Sequence, residues 1–281
     1  MATINPRVDF AFKLIFGNEQ NKDILLSLLN SILEDYQESP IEWIEILNPF
    51  MDREYEKGKT AILDIKARDQ NGEYYNIEMQ ITDQYFYEKR ALYYWARLYS
   101  SQLGKGSDYD NLKRTVSINI LNFETTGKNI KYHTAYRLKE INDNFELTNQ
   151  EEIHFLEMEK FSKELPDLQK TLDRWIYFIK YAERFSEHNL PEPLKEVESI
   201  KKASSVLERI SLSDEQREIY EDRLNMYLDE RGAIRTAELR GRDREKIEIA
   251  KKFLEMGLSV EQVKKGTGLA LDEIKKLTDE K

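Results

Sequence analysis

Apolar residues recur at helical spacing in VDFAFKLIFGN, where Val8, Phe12, Ile15 and Phe16 share one side before Gly17 stops the run. The same spacing predicts a second helix over about 22–33, carrying Ile24, Leu25, Leu28, Leu29 and Ile32. Pro40 breaks the chain, and IEWIEIL (41–47) reads as a strand ended by Asn48-Pro49. The period then changes to two. In TAILDIKA (60–67), Ala61, Leu63 and Ile65 alternate with Ile62, Asp64 and Lys66, and RDQNG (68–72) supplies an Asn-Gly turn signal. EYYNIEMQI (73–81) returns antiparallel, with Tyr75, Ile77, Met79 and Ile81 on one face and Tyr74, Asn76, Glu78 and Gln80 on the other.

A long Tyr-rich helix is expected over 84–103, with Ala91, Tyr94, Trp95, Leu98 and Leu103 turned inward. It is followed by TVSINIL (115–121), an almost continuous apolar strand. YHTAYRL (132–138) and IHFLEMEKF (153–161) read as further strands, and 166–185, 193–208 and 213–230 as helices. The charged, helix-prone stretch 230–246 is the expected linker. The tail reads as three short helices, the second capped by Ser259 with Gln262 as its capping-box partner. The order αβββαβ suits a mixed sheet with one face covered by helices.

Composition narrows the functional classes. The chain has 281 residues and a net charge of -10, so it does not advertise nucleic-acid binding by bulk charge. The acidic excess lies in 1–50 and 115–240, while 51–114 and the tail are close to neutral. Cysteine is absent, which excludes disulfides, thiolate zinc sites and cysteine nucleophiles and fits a cytoplasmic location. No stretch reads as a leader or as a membrane span. His133, His154 and His188 are scattered without ligand spacing and read as structural.

The chemistry sits on the 60–81 hairpin. Antiparallel pairing across the turn brings the polar faces of its strands together, so Asp64 comes within reach of Glu78 and Gln80. Two converging carboxylates, with the Met79 carbonyl as a further oxygen, suit a hard divalent cation that keeps several waters. Such an ion activates water and stabilises charge on a phosphodiester oxygen. A solvated strand face alternates polar residues in the same way. Asp9 and Lys13, one helical turn apart, read by themselves as a surface ion pair.

Asp64 followed by Glu78-Met79-Gln80 resembles the D…ExQ form of the PD-(D/E)XK nuclease signature. DFAFKLIFGN (9–18), LLNSIL (28–33), NIEMQI (76–81), KRALYYWARLYSSQLGKGSDYDNL (89–112) and SINILNF (117–123) together resemble the Rpn-type recombination-promoting nuclease and transposase family. The similarity is dense over about 1–125 and resumes in GLSVEQVKKGTGLALDEIKKL (257–277). It implies an α/β, restriction-endonuclease-like (PD-(D/E)XK) mixed sheet flanked by helices over 1–165. A helical extension and linker (166–240) and a small helix-turn-helix-like tail (241–281) would follow.

The resemblance implies that Asp64 and Glu78 are the metal ligands for Mg2+, or for Mn2+ or Ca2+. Gln80 stands where related nucleases usually carry lysine, and a neutral amide can orient water but cannot supply charge. Lys66, on the Asp64 face, is a candidate for that charge. Asp9 and Lys13 match the family's N-terminal D…K pair, with Asp9 expected behind the site. Arg90 can contact phosphate; Tyr93, Tyr94 and Gln102 also match family positions, the tyrosines being expected mainly to pack. The implied function is metal-dependent DNA endonuclease activity linked to recombination or mobile elements. The competing reading is a nuclease-fold module that binds DNA or protein without cutting. Expected partners are DNA and, in a homodimer, a second copy of the chain; no membrane is expected. In the tail, Lys275 and Lys276 are offset by Asp272 and Glu273, which suits three-helix packing at least as well as sequence-specific DNA reading.

Overall fold

The computed structural model describes residues 4–37, 39–47, 64–83, 85–127, 131–186, 188–210 and 212–279. It divides into two compact units, residues 1–224 and 225–281. In the first, helices α1 (Asp9–Phe16) and α2 (Lys22–Leu33) precede strands β1 (Ile44–Leu47), β2 (Ile65–Asp69) and β3 (Tyr74–Gln80). Helix α3 (Tyr87–Ser100), strands β4 (Thr115–Leu121), β5 (His133–Tyr136) and β6 (Glu151–Glu157), and helices α4 (Thr171–Tyr181), α5 (Glu192–Lys195) and α6 (Glu198–Arg209) follow. The strand expected over 60–67 is described only from residue 64. Residues 60–63 and the Asn48-Pro49 break lie outside the described residues.

Among the described residues the strands form one mixed sheet in the order β1-β2-β3-β4-β6-β5. β1, β2 and β3 pair antiparallel, whereas β3, β4 and β6 run parallel. The turn is tighter than RDQNG suggests. β2 continues to Asp69, whose carboxylate accepts from the backbone N–H of Asn71 and Glu73, each at 2.9 Å. Gly72 then adopts φ +81°, a left-handed conformation that suits glycine. This loop sets the register Ile65↔Ile77 and Lys66↔Asn76.

Alternation then decides the layers. Tyr75, Ile77 and Met79 join Val116, Ile118 and Ile120 in a large core under α1, α2 and α4. The opposite face is covered too, so helices flank the sheet as the resemblance implies, beyond the one covered face that the element order alone suggests. α3 presents Tyr87, Ala91 and Trp95 to Leu121, Phe123, Ile153 and Phe155, forming a second apolar cluster. The physical reason is that α3 carries its own apolar stripe and crosses between parallel β3 and β4, a connection that must pass over a face of the sheet. Asn76 and Glu78, which a solvated strand would expose, are therefore 0% and 2% exposed.

α1 docks through Gly17, where a Cβ would lie 2.8 Å from the Lys13 carbonyl and 3.5 Å from Ile65. The long helix α7 (Asp214–Glu255) includes the stretch expected as a linker. In the second unit, α8 (Val260–Thr267) and α9 (Leu271–Asp279) follow it, and Val263, Leu269 and Ile274 share a small core with Ala250. The Ser259–Gln262 capping box forms as expected, with Gln262 Oε1 accepting from Ser259 N–H at 2.9 Å.

Candidate active site

The hairpin register, continued by one pair, places Asp64 opposite Glu78 at the carboxyl end of β3. The Asp64 N–H points at Glu78 Oε1 at 3.4 Å, and the Met79 N–H donates to Asp64 Oδ2 at 2.8 Å. From α1, Lys13 Nζ reaches Asp64 Oδ1 at 3.0 Å. Lys13 and Asp9 therefore do not act as a simple surface pair. Lys13 turns to Asp64, and Asp9 lies 3.8 Å from Arg223 while its charge still reaches Asp64.

Burial governs the electrostatics. Glu78 is pushed up to about 8, first by desolvation and then by the charge of Asp64; Arg90, the Asp64 N–H and the Asn76 amide oppose this only in part. The Asn76 amide sits beside Glu78 without reaching proper hydrogen-bond geometry. Asp64 is also raised, again mainly by burial, with Lys13 and the Met79 N–H pulling it down.

The remaining expected residues are distributed unevenly. Gln80 shares the Glu78 face, and its amide is 3.4 Å from the Thr82 carbonyl. Lys66, two pairs along from Asp64, lies with Nζ 5.7 Å from the Tyr74 ring centroid, so Lys13 is the lysine that reaches Asp64. Arg90 stacks over the rings of Tyr87 and Tyr94 at 5.8 and 5.0 Å. Tyr93 is exposed rather than packed, and Gln102 ties the end of α3 to Thr115 and Lys113.

Two residues that the sequence reading passed over complete the floor. Asn119 pairs with Glu78 in the β3–β4 register, and its amide oxygen accepts from the Tyr87 hydroxyl at 3.1 Å. The alternating Ser117 and Asn119 inside the apolar TVSINIL run were the available signal. The donor set fits a hard cation: two carboxylates and the Met79 carbonyl are all oxygens. No group of three or more acidic or histidine ligands occurs among the described residues, so such an ion would rely on water or substrate oxygens for the rest.

The amino ends of the same parallel strands hold a contrasting cluster. Glu152, fully buried on β6, meets Arg114 at 3.0 Å, Arg137 at 2.6 Å and His154 Nε2 at 2.6 Å. Burial alone would raise Glu152, but these donors and charges hold it near 2. His154 in turn contacts His133 at 2.9 Å, so two histidines that look scattered in sequence are adjacent in space. Both are shifted down by burial, His133 to about 3. A polar cavity of about 770 Å³, lined in part by Tyr36, Asp69, Glu73, Arg114 and Arg137, opens at this end. Its arginines are already committed to carboxylates, so its volume does not outweigh the chemistry at Asp64 and Glu78.

A family described as PD-(D/E)XK nuclease family transposase matches residues 6–237. A second, described as the Rpn/YhgA-like nuclease family C-terminal HTH domain, matches residues 244–279. No curated protein and no solved structure matches the chain.

Proposed function

The chain belongs to the PD-(D/E)XK nuclease family of transposases, and from that premise we propose that it is a divalent-metal-dependent DNA endonuclease. One observation carries this reading. Asp64 and Glu78 face each other in a buried setting that raises both carboxyls even with Lys13 on Asp64, an arrangement that favours binding a cation. Asp64, Glu78 and the Met79 carbonyl would hold Mg2+, or Mn2+ or Ca2+. When bound, the ion supplies a more acidic water and neutralises charge on a phosphodiester oxygen.

The chain's own groups do the positioning. The Met79 N–H fixes one oxygen of Asp64, and Lys13 holds the other while bringing a positive charge to the phosphate. Gln80 orients water through its amide, which a lysine would do with charge as well. Lys66 adds positive potential on the same face, Asp9 adds a negative charge that is felt at Asp64 and raises the local demand for a cation, and Arg90 places a guanidinium beside Glu78. We assign the C-terminal unit, through its match to an HTH domain, to DNA contact.

The test is nicking of supercoiled plasmid with Mg2+, Mn2+ or Ca2+ by the wild type, Asp64→Ala and Glu78→Ala. Metal-dependent nicking lost in both variants is expected; equal nicking by all three removes the assigned site. A second reading, binding without cleavage, is favoured by the Lys13 ammonium already seated on Asp64 and by Gln80 in place of lysine. It predicts DNA or protein binding with no thermal stabilisation by millimolar metal.

A further inference from the structure

Between the end of β3 and the start of α3 the chain exposes two aromatic rings. Tyr85 is 97% exposed and Phe86 64% exposed. Phe86 also has φ +64°, a left-handed conformation that a bulky side chain rarely adopts. Strain of this kind persists where surrounding bonds enforce it, and it clusters at working sites. Here the Phe86 carbonyl starts α3, accepting from the N–H of Lys89 at 3.0 Å and of Arg90 at 3.4 Å. Lys89 Nζ lies 4.4 Å from the Phe86 ring centroid.

The position matters as much as the exposure. Tyr85 follows Gln80 by only a few residues. Tyr87, the next residue after Phe86, bonds Asn119, the register partner of Glu78. Arg90, one turn on, exerts its charge on Glu78. The two rings thus stand on the short segment that leads from the Glu78 strand into the helix carrying Tyr87 and Arg90, with the Lys89 cation against Phe86. Exposed aromatic faces next to positive charge suit a nucleobase above and a phosphate alongside. Bases inside an intact duplex are already stacked on each other, so rings at this position gain most from bases that are unpaired.

We propose that Tyr85 and Phe86 stack on unpaired nucleobases and direct this protein to single-stranded or locally unpaired DNA. The inference rests on the nuclease reading of the neighbouring carboxylates, but its test separates the two. Duplexes carrying aminopurine in a short single-stranded gap, and fully paired controls, are titrated with the full-length protein in EDTA. Stacking is expected to quench the aminopurine, with affinity for gapped DNA roughly tenfold or more above that for paired DNA. Phe86→Gly, which suits the left-handed backbone, and Tyr85→Ser should remove the quenching and bring the affinity ratio to within about twofold. A melting temperature no lower than wild type identifies the effect as loss of a ring, not of the fold.

Equal binding of both DNAs by the wild type, or quenching unchanged in both variants, overturns the proposal. Capture of a protein with no aminopurine response also overturns it. Quenching and preference without cleavage in Mg2+ or Mn2+ would support the stacking role and defeat the endonuclease reading. Metal-dependent cleavage with no preference for gapped DNA would do the reverse.

Discussion

Glu78 and Glu152 are both buried carboxylates on parallel strands of one sheet, yet they are pushed in opposite directions. Glu152 has two arginines and a histidine around it and sits near 2; Glu78 has a second carboxylate across the hairpin and rises to about 8. Burial is the largest influence on each. The partners decide the outcome. The amino ends of β3, β4 and β6 are an electrostatic lock, complete without any added group. The carboxyl ends hold charge that the protein itself leaves under-compensated, and open parallel sheets generally bind ligands at that end. A buried charge thus points to function when its surroundings do not neutralise it, and to structure when they do.

The contrast can be broken most decisively at the carboxyl end. Asp64→Asn and Glu78→Gln are expected to lower plasmid cleavage by at least roughly 10³-fold, about 4 kcal/mol of barrier. The melting temperature of Glu78→Gln without metal should match or exceed the wild type, because burial already disfavours the charged form of that carboxyl. Strong destabilisation by Glu78→Gln would make Glu78 a structural residue like Glu152. At the amino end, Glu152→Ala should cost about 3–5 kcal/mol in urea unfolding, since it removes the buried carboxylate that Arg114, Arg137 and His154 share. A loss under about 1 kcal/mol would mean that the lock is not one.

Metal provides a finer probe. At a concentration a hundredfold above its Kd, Mg2+ or Mn2+ should stabilise the wild type by about 2.7 kcal/mol, read as a rise in melting temperature. Glu78→Gln should show little of this rise, and Glu152 substitutions that still fold should keep it.

The smallest effect per step is the response to pH, at most about 1.4 kcal/mol per pH unit for each group. Glu78 has a folded pKa above its unfolded one, so its contribution is present below about 4.5 and fades as pH rises towards about 8. His133 and His154 are lowered, so theirs is present above 6.5 and fades as pH falls, towards about 3 for His133. Glu152, also lowered, loses its contribution as pH falls from 4.5 towards 2. Metal-free Glu78→Gln should therefore flatten the stability profile between about pH 4.5 and 8 and leave it unchanged below about pH 4.5. A flattened acid side instead would place the linkage at the wrong end.

The strand pair carrying Asp64 and Glu78 was legible because a period of two and a short glycine-closed loop leave little freedom of register. The helix over its polar face was not. Asn76, Glu78, Ser117 and Asn119 have the alternation of a wet surface, and only their pairing with a Tyr- and Trp-bearing helix shows that they are enclosed. The amino-end cluster was less legible still. His133 and His154 meet because β5 and β6 pair with Ala135 opposite His154, and Arg137 reaches Glu152 from just beyond β5. Long side chains converging from separate strands leave no local period to read.

The hairpin also has a kinetic consequence. Asp64 and Glu78 are only 14 residues apart along the chain, whereas Arg114 meets Glu73 across 41 residues and Arg137 reaches the Tyr36 carbonyl across 101. Short loops close at lower entropic cost than long ones. During refolding the two acidic groups can therefore meet before β4 and α3 enclose them, while their charges are still solvated. The chain can bring these two acidic groups together through one local hairpin and leave the longer-range contacts of Arg114 with Glu73 and of Arg137 with Tyr36 until later.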